Sequence, residues 1–421
     1  MNNKYRVAII GHTGRGGYGH YLDLAFSGVE GAEVIAVSDP DDLGRHNTLE
    51  KTGAQNGYSD YNQMLAVERP DITVVASREI GDHLDMVLAA AEAGSHIYLE
   101  KPIAASPLQV ERMMEACQKK DCLLVVAHPW RGHPPIQKVA IPLIKSGRIG
   151  QPRLARIYGM GGGHGGDQLF LDLYPHFFDF LWQLFGQPLW CHAHLTRDGR
   201  SVTPADLKQG AEGMGLVAGN GIKAYYAFAD GFVADFESYQ GDGRENPYRI
   251  DIHGTSGTIS LPGPMSNQPD IYYHPLVNPG LFGDSRWEVI EAEPPPSADK
   301  WLRAHHRMAA SMIDILNGET PEWELVSGQN AKLYLEMAMM AHASHISGSR
   351  VGLPLSDGKN PFDSWKWGLI ACQNETHLSI RKINNDFFYI PATSNFPFAK
   401  RLPYIDSHFF NSISGSLFGQ R

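Results

Sequence analysis

The chain has 421 residues, a length typical of two or three domains. Its composition, 43% hydrophobic and 19% charged, is that of an ordinary globular protein. The net charge of -10 argues against nucleic-acid binding, which requires a basic face. We see no apolar run near the ~20 residues that span a bilayer, no export signal, and no disulfide or zinc pattern among the four cysteines. These features predict a cytoplasmic protein that binds neither membranes nor nucleic acid.

Five short apolar runs in the first third of the chain are typical of buried β-strands. They lie at residues 5–10, 32–39, 71–77, 95–100 and 122–128. Helix-like segments such as residues 83–94 separate them. This alternation predicts a parallel sheet with helices on both faces. Ligands bind such sheets at the carboxyl ends of the strands, where the order of the connections reverses.

A glycine-rich loop with the sequence GHTGRGGYGH (residues 11–20) follows the first predicted strand. Glycine lets the backbone approach a pyrophosphate, and the N-terminus of a helix after the loop would offer unpaired amides. The spacing is G-x-x-G-x-x-G rather than the common G-x-G-x-x-G. A glycine-rich turn with no ligand is the alternative. From this loop we predict as cofactor-binding residues Gly11, Thr13, Gly14, Arg15, Gly16 and Gly17.

Asp39 ends the second predicted strand. A carboxylate at this position can bind the adenosine ribose hydroxyls of a dinucleotide. The surrounding DPDD sequence would repel a 2′-phosphate, so we expect NAD rather than NADP, although Arg45 lies nearby. Asp39 could instead cap a turn before Pro40.

The fourth predicted strand ends in the sequence Glu100-Lys101-Pro102. A lysine at a strand end can donate a hydrogen bond to a substrate hydroxyl and stabilise developing alkoxide charge. Burial beside a cationic nicotinamide would lower its pKa and let it share base duty. A surface ion pair between Glu100 and Lys101 is the alternative. We expect Glu100 to border the cofactor and to tie the strand end to the second domain.

Beyond residue 130 the pattern changes to successive strands with short turns, one aromatic helix, and two helical segments near 299–318 and 326–347. This order predicts an antiparallel sheet in a second, α+β domain. We therefore divide the chain into a dinucleotide-binding domain at 1–130, a substrate and oligomerisation domain at 131–355, and an extension of uncertain structure at 356–421.

The aromatic helix carries Asp172, His176 and Asp179. Residues four apart share one helix face, so we expect Asp172 and His176 to point the same way. Histidine titrates near neutral pH and suits a general base. We assign His176 as that base and Asp172 as its orienting carboxylate. Alternatively, Asp172 caps the helix.

A glycine-rich segment, GMGGGHGGDQ (residues 159–168), precedes this helix. It predicts either a loop that closes over substrate or a plain mobile loop. His164 is its predicted substrate contact, with Asp167 beside it. Trp130 and Tyr158 are candidates for stacking on a sugar ring. Metal binding by His164 and the three helix residues lacks a complete ligand set, so we predict no metal site.

Together these motifs resemble the glucose-fructose oxidoreductase/inositol dehydrogenase (Gfo/Idh/MocA) family. The resemblance runs over roughly residues 5–355 and includes AHPWRGHPPIQKVAIPLIKSGRIG (127–150) and HGTSGTISL (253–261). Two departures stand out. The glycine loop is one residue longer than the family pattern, and Tyr174 replaces a small residue in DLYPH.

The resemblance implies an N-terminal Rossmann domain, which is a doubly wound parallel sheet, and a C-terminal α+β domain with a large open, mainly antiparallel sheet. It implies NAD(P)-dependent chemistry on sugars or polyols, and a homodimer or homotetramer formed through the second sheet. It assigns catalytic roles to Lys101, Asp172 and His176. It places Ser77, Arg78 and His83 at the cofactor. It places Arg131 and Pro134 at the domain junction, where Arg131 would contact both cofactor and substrate.

The sequence therefore predicts an NAD-dependent dehydrogenase that oxidises a secondary alcohol of a sugar, inositol or related polyol. The alternative is a glycosidase or lyase with tightly bound NAD, which oxidises its substrate transiently, eliminates a group and reduces the product again. A cofactor-binding sensor without catalysis is a third possibility.

Overall fold

The computed structural model describes residues 4–161, 165–241, 249–262, 271–275, 286–290, 300–355, 357–365, 381–383 and 386–388. The chain forms two compact units, Met1–Ser364 and Trp365–Arg421. In the described part of the chain, no helix is both long and apolar enough to cross a membrane.

The strands follow one another along the chain as β1 (Tyr5–Ile10), β2 (Ala32–Ser38), β3 (Asn56–Tyr58), β4 (Ile72–Val75), β5 (His96–Leu99), β6 (Leu124–Val126), β7 (Pro152–Gly161), β8 (Trp190–Arg197), β9 (Arg200–Ser201), β10 (Leu207–Gln209), β11 (Leu216–Ala218), β12 (Gly221–Ala227), β13 (Val233–Gln240), β14 (Arg249–Gly254), β15 (Gly257–Pro262), β16 (Ile271–Pro275), β17 (Glu288–Ile290), β18 (Val326–Ser327), β19 (Arg381–Ile383) and β20 (Asp386–Phe388).

The α-helices are α1 (Asp42–Thr52), α2 (Tyr61–Glu68), α3 (Ile80–Glu92), α4 (Pro107–Lys119), α5 (Ile141–Lys145), α6 (Asp167–Asp172), α7 (Pro175–Phe185), α8 (Lys300–Leu316) and α9 (Gly328–Ser347). Short 3₁₀ turns lie at Leu22–Leu24, Pro129–Gly132, Pro204–Asp206, Ala211–Gly213 and Ala229–Gly231, and a π-helical turn at Pro135–Ala140 leads into α5.

The first sheet has the strand order β18-β6-β5-β4-β1-β2-β3. Strands β1 to β6 run parallel, and only the two-residue β18 is antiparallel to its neighbour. The predicted doubly wound parallel sheet is therefore confirmed. All four residues of β4 are buried, as expected for a strand covered on both faces. The connection order reverses between β1 and β4, which places a ligand crevice at their carboxyl ends.

The predicted helix after the glycine loop does not form, and this prediction was wrong. Residues 11–31 hold only the short turn Leu22–Leu24. Phe26 and its neighbours instead pack into the core of the first sheet, where Met308 and Met312 of α8 join them. The helix α8, which follows the second sheet in sequence, thus covers this face of the first sheet.

The second sheet has the strand order β17-β16-β15-β14-β7-β13-β12-β8-β9. Its described pairings are antiparallel except for β7 and β13, so the predicted large, mainly antiparallel sheet is confirmed. Aromatic side chains of α6 and α7, including Phe170 and Phe178, pack on Phe236 of β13. This packing fixes α6 and α7 against the sheet. In the second unit, β19 and β20 form an antiparallel hairpin.

Candidate functional site

The Lys101 side chain lies at the carboxyl end of β5 and meets Asp172 from the second half of the chain. Its ammonium is 2.9 Å from the Asp172 Oδ1. Lys101 is only 8% exposed, whereas the Asp172 side chain is 30% exposed. A buried ammonium needs such a partner, because an unpaired charge away from water is costly. The pair leaves one carboxylate edge open to a ligand.

Asp172 and His176 do not lie on one helix, contrary to the sequence prediction. Asp172 is the last residue of α6, and His176 lies in the first turn of α7, which begins at Pro175. Proline is tolerated in the first helical turn but not in a helix interior, which accounts for the break. His176 still lies close enough to Lys101 for the ammonium charge to affect its pKa.

The His176 imidazole is 2% exposed and lies among aromatic rings. Its ring centroid is 5.1 Å from that of His128 and 6.1 Å from that of Trp130. Its Nδ1 atom is buried without a hydrogen-bond partner in the described part of the chain. A buried nitrogen without a partner is uncommon and points to a functional role for this imidazole.

The pKa values of Lys101 and His176 are shifted in opposite directions. Burial alone would lower the pKa of Lys101, but Asp172 and Glu100 hold it above its ordinary value. Burial lowers the pKa of His176 well below its ordinary value, and the charges of His128 and Lys101 lower it further. At neutral pH Lys101 is therefore a cation and His176 is neutral. The direction for Lys101 is opposite to the lowering predicted beside a cationic nicotinamide, and it favours Lys101 as a hydrogen-bond donor.

Glu100 is also buried, and its carboxylate accepts a hydrogen bond from the Nδ1 of His20 at 3.0 Å. Burial would raise the pKa of Glu100, but His20, Lys101 and His305 together lower it. The adjacent Glu100 and Lys101 thus pair with different elements. Glu100 binds the glycine loop, and Lys101 binds the end of α6. The expected link from Glu100 to the second domain is replaced by this link to His20.

The glycine loop is tied to the end of β2 by Asp39. The amide and the hydroxyl of Thr13 donate to its carboxylate at 3.1 and 2.7 Å, and the Asp41 amide donates at 3.0 Å. Asp39 is fully buried, so it positions the loop. Gly14 and Gly17 have φ values of 84° and 68° and open space where a side chain would be. These positions leave the loop backbone accessible to a ligand.

A cleft of about 290 Å³ opens at the carboxyl ends of β1 and β2. Its lining comprises Gly11, His12, Ser38, Pro40, Ser59, Asp60, Tyr61, Asp82, Asp85 and Met86. The wall of the cleft carries three carboxylates, those of Asp60, Asp82 and Asp85. Their negative charge disfavours binding of a 2′-phosphate in the cleft. Arg45 is held by the Asp39 carbonyl oxygen at 2.7 Å and by Asp42, so it does not offset that charge in the cleft.

Four other predicted cofactor residues already have partners in the protein. Arg15 is half exposed and pairs with Glu79 and Asp82 at 3.5 and 3.2 Å. Arg78 pairs with Glu212 at 2.6 Å. The ring nitrogens of the buried His83 lie 2.7 and 3.1 Å from the carbonyl oxygens of Ser77 and Ile103. Ser77 and His83 therefore brace the ends of β4 and β5, and the two arginines lie at the rim.

Arg131 is fully buried and is held by protein groups. It donates to both carboxylate oxygens of Asp179, at 2.7 to 3.0 Å, and to Glu324 at 2.7 Å. Tyr334 donates to the same Asp179 at 2.8 Å. Asp179 is thus committed to Arg131 and does not orient His176. The predicted contacts of Arg131 with cofactor and substrate are replaced by this network, which supports the floor of the site.

The remaining predicted substrate residues are scattered. Trp130 is buried against His176 and lines its pocket. Tyr158 lies on the opposite face of β7 from Gly159, which contacts Tyr174, so it is not brought to Lys101. Asp167 is buried and bonds His342 at 2.6 Å, which leaves it unavailable to substrate.

His164 lies outside the described residues. In the part of the chain that the structure describes, no three His, Cys, Asp or Glu side chains cluster as metal ligands.

Sequence reasoning missed His20 and His128 as members of the site. His20 stands at the end of the same glycine loop, nine residues after Gly11. A histidine at the end of this loop could have indicated a site residue. Its partner Glu100 could not be identified, because it lies 80 positions away in the sequence.

The N-terminal part of the chain, residues 5–128, matches the model of an oxidoreductase family with an NAD-binding Rossmann fold, Gfo/Idh/MocA. The chain is 28% identical over 194 residues to myo-inositol 2-dehydrogenase of Thermotoga maritima, which is 43% of this chain and 55% of that enzyme. It is 26% identical over 371 residues to scyllo-inositol 2-dehydrogenase (NAD(+)) of Bacillus subtilis, which is 84% of this chain and 97% of that enzyme.

Solved structures share the fold over most of the chain. An oxidoreductase from Agrobacterium radiobacter, solved with NAD+, L-tartaric acid and magnesium, aligns with a TM-score of 0.65 at 20% identity, over 83% of this chain and 98% of its own. Levoglucosan dehydrogenase with NADH and L-sorbose aligns with a TM-score of 0.65 at 18% identity, over 84% of this chain and all of its own. Residues 5–128 therefore match the NAD-binding Rossmann domain of the Gfo/Idh/MocA oxidoreductases, and most of the chain is similar in sequence or fold to dehydrogenases of inositols and sugars.

Proposed function

We propose that the protein is an NAD-dependent dehydrogenase that oxidises a secondary alcohol of a sugar, an inositol or a related polyol. The observation that carries this proposal is the charged Lys101, paired with Asp172 beside a neutral, buried His176. A hydroxyl that loses its hydrogen as hydride also needs a proton acceptor and a donor for its developing negative charge. The site supplies both groups, and they lie close enough for the charge of Lys101 to lower the pKa of His176.

The residues at the carboxyl ends of β1 and β2 fit a dinucleotide. The open backbone at Gly14 and Gly17 would take the pyrophosphate, and the 290 Å³ cleft would take the adenosine half. Without a helix after the loop, backbone amides of the loop itself provide the donors. When bound, NAD supplies the hydride acceptor.

Each polar group in the pocket has a distinct task in this proposal. The Lys101 ammonium donates to the substrate hydroxyl and stabilises the oxygen as negative charge develops. His176, which is neutral, accepts the hydroxyl proton on a ring nitrogen. Asp172 holds Lys101 charged and offers its exposed edge to a second hydroxyl. Trp130 and His128 keep His176 away from water and hence neutral.

We further propose NAD rather than NADP as the cofactor. The support is electrostatic, because the adenosine cleft is lined by Asp60, Asp82 and Asp85. A 2′-phosphate would enter this field of negative charge. Arg45, the nearby cation that could bind it, is already engaged with the Asp39 carbonyl and with Asp42.

The names of the relatives support the substrate class, since two are inositol dehydrogenases and another is a D-apiose dehydrogenase. A cytoplasmic location and a homodimer or homotetramer formed through the open face of the second sheet remain predictions.

The test is incubation of the purified chain with NAD or NADP and a panel of inositols, aldoses and anhydrosugars, with NADH formation followed by absorbance. We expect NADH with at least one cyclic polyol and much slower reduction of NADP. Release of the aryl group from an aryl glycoside without net NADH would instead favour the redox-neutral glycosidase. No oxidation of any substrate in the panel would refute the proposal.

A further inference from the structure

The last part of the glycine loop crosses the ends of two strands toward Lys101. Tyr18 pairs with Ser77, and the Gly19 amide donates to the Ala76 carbonyl at 2.7 Å, so the loop lies over the end of β4. The next residue, His20, then reaches the end of β5, where Glu100 precedes Lys101. The topology thus brings an imidazole of the loop to the edge of the site that holds the ammonium.

The backbone around His20 is held in a conformation that side chains rarely adopt. His20 and Tyr21 have φ values of 30° and 70°, although neither is glycine. Gly19 has no room for a side chain, since a Cβ there would lie 2.4 Å from the Glu100 Cδ. Strained backbone of this kind persists where the surroundings fix it, and it clusters at functional sites. Here the strain sets one position for the imidazole.

Glu100 orients the His20 ring. The buried carboxylate accepts a hydrogen bond from Nδ1 at 3.0 Å, so Nδ1 carries a proton. Because the two ring nitrogens point in diverging directions, Nε2 faces away from Glu100. The side chain is 32% exposed, and Nε2 has no hydrogen bond within the described residues. An oriented ring nitrogen without a partner is therefore left for a ligand, as an acceptor in the neutral ring or as a donor in the imidazolium.

Two neighbours define what could lie in that space. The indole of Trp301, from α8, has its ring centroid 6.3 Å from that of His20. The charge of His20 also helps to lower the pKa of Asp172, after the larger contribution of Lys101, so the imidazole lies near the Lys101–Asp172 pair. An apolar ring face beside converging polar groups is the usual lining of a site for a small polar molecule.

We propose that His20 is a substrate-binding residue, whose Nε2 forms a hydrogen bond with a second hydroxyl next to the carbon that is oxidised. Because His20 lies near the Lys101–Asp172 pair, it addresses a part of the ligand next to the hydroxyl that Lys101 binds. Trp301 packs on the apolar face of the same ring. The substrate class is then a cyclic polyol with vicinal hydroxyls, not a simple secondary alcohol. This proposal rests on the proposed function.

The test compares a cyclic polyol with its monodeoxy analogues, one for each hydroxyl, in the wild-type protein and in His20→Ala. Wild type should prefer the polyol to one particular analogue by about tenfold in kcat/KM, as expected for one hydrogen bond. In His20→Ala that preference should disappear, while the preferences against the other analogues persist. The control His46→Ala, on the exposed surface of α1, should keep every preference.

A purely structural role for His20 predicts a different pattern. His20→Ala would then slow the polyol and all analogues by one common factor, and that result overturns the proposal, as does an unchanged set of preferences. His20→Gln, which retains an acceptor, should recover part of the lost preference, and it serves as the second variant if His20→Ala does not fold.

The experiments distinguish failure of the proposed function from failure of the His20 proposal. If wild type oxidises none of the polyols, the proposed function fails. The His20 proposal is then tested by calorimetric binding of the polyol and its analogues to the NADH-loaded protein. The same tenfold ratio, lost in His20→Ala, upholds the site, and equal affinities in the two proteins overturn it.

Discussion

The contrast between Lys101 and His176 is the main chemical feature of the site. Both groups are buried, and burial disfavours the charged form of each. Lys101 nevertheless stays charged because Asp172 is 2.9 Å away, whereas His176 has no carboxylate partner among the described residues and is neutral. Environments that push two pKa values apart distinguish a donor from an acceptor. In the proposed reaction Lys101 is therefore the donor, and His176 is the acceptor.

The low pKa of His176 predicts the pH profile of the reaction. A base must be deprotonated to act, so activity falls as pH decreases through its pKa. Because that pKa lies well below the ordinary 6.5, kcat/KM should stay constant from neutral pH to below 6.5. The measurement is kcat/KM against pH in wild type. An acidic limb with its midpoint at or above 6.5 would exclude His176 as the base.

For single residues, the sequence predicted which residues form the candidate site better than it predicted their protonation states and partners. Lys101, Asp172 and His176 follow from their motifs. The charge on Lys101 does not, because it depends on a contact with a residue 71 positions away. Arg131 was misassigned for a similar reason. Nothing local indicates that Asp179, Glu324 and Tyr334 surround it.

The glycine loop is the element that departs most from expectation. The glycines correctly marked a turn at the end of β1, but the loop continues without a helix because Tyr18 and His20 have other partners. Tyr18 lies so close to Gly11 that a Cβ there would be 2.1 Å from its ring. The strands of the first sheet were readable from their apolar runs, whereas the short, exposed β3 carries no such signal.

Substitutions of two loop glycines should separate packing from backbone strain. Gly11→Ala should lower the free energy of unfolding by about 3 kcal/mol, the upper end for overpacking, because the Tyr18 ring must move. Gly14→Ala should cost about 1 kcal/mol, from its positive φ alone, since no atom of the described residues lies within 4 Å of the added Cβ. Urea unfolding of both variants measures the difference. Equal losses would mean that Tyr18 does not pack under the loop.

The network around Arg131 joins the segment after β6 to α7 and α9. Asp179→Ala would leave a fully buried guanidinium without its main partner. We expect a loss of about 3–5 kcal/mol in the free energy of unfolding. The exposed pair of Lys138 and Glu322, 3.5 Å apart, is the control, and Glu322→Ala should change stability by less than about 1 kcal/mol. Similar small losses in both variants would show that the buried network contributes little.

The chain returns to the first sheet after it has formed the second, and this return links the two sheets. After the second sheet, Met308 and Ile313 of α8 enter the core of the first sheet, and β18 pairs with β6. The alternation of strands and helices predicted the first sheet, and the succession of strands with short turns predicted the second. It did not predict this return, because the apolar face of a helix does not indicate which sheet it covers.

Several buried histidines around this return segment make stability depend on pH. Burial lowers the pKa of His128, His133 and His305 to about 4, against an ordinary value of 6.5. Between these values the unfolded chain binds protons that the folded chain does not. Stability therefore falls as pH decreases from 6.5 toward 4, by about 1.4 kcal/mol per histidine at pH 5.5.

This prediction is checked by urea unfolding at pH 7.5 and 5.5. His305→Gln should reduce the pH-dependent loss by about 1.4 kcal/mol relative to wild type, because one proton-linked group is removed. His46→Gln changes a histidine that is already exposed, so it should keep the wild-type loss. An identical loss in all three proteins would mean that His305 is protonated in the folded state.

The most direct test of the account is to compare NADH formation with NADH affinity in wild type and Lys101→Met. We predict that turnover of a polyol falls at least ~100-fold, the low end for loss of a proton-transfer group, while the dissociation constant for NADH changes little. Lys120→Met, at an exposed ion pair with Glu92, should match wild type in both. Wild-type turnover in Lys101→Met would contradict the account.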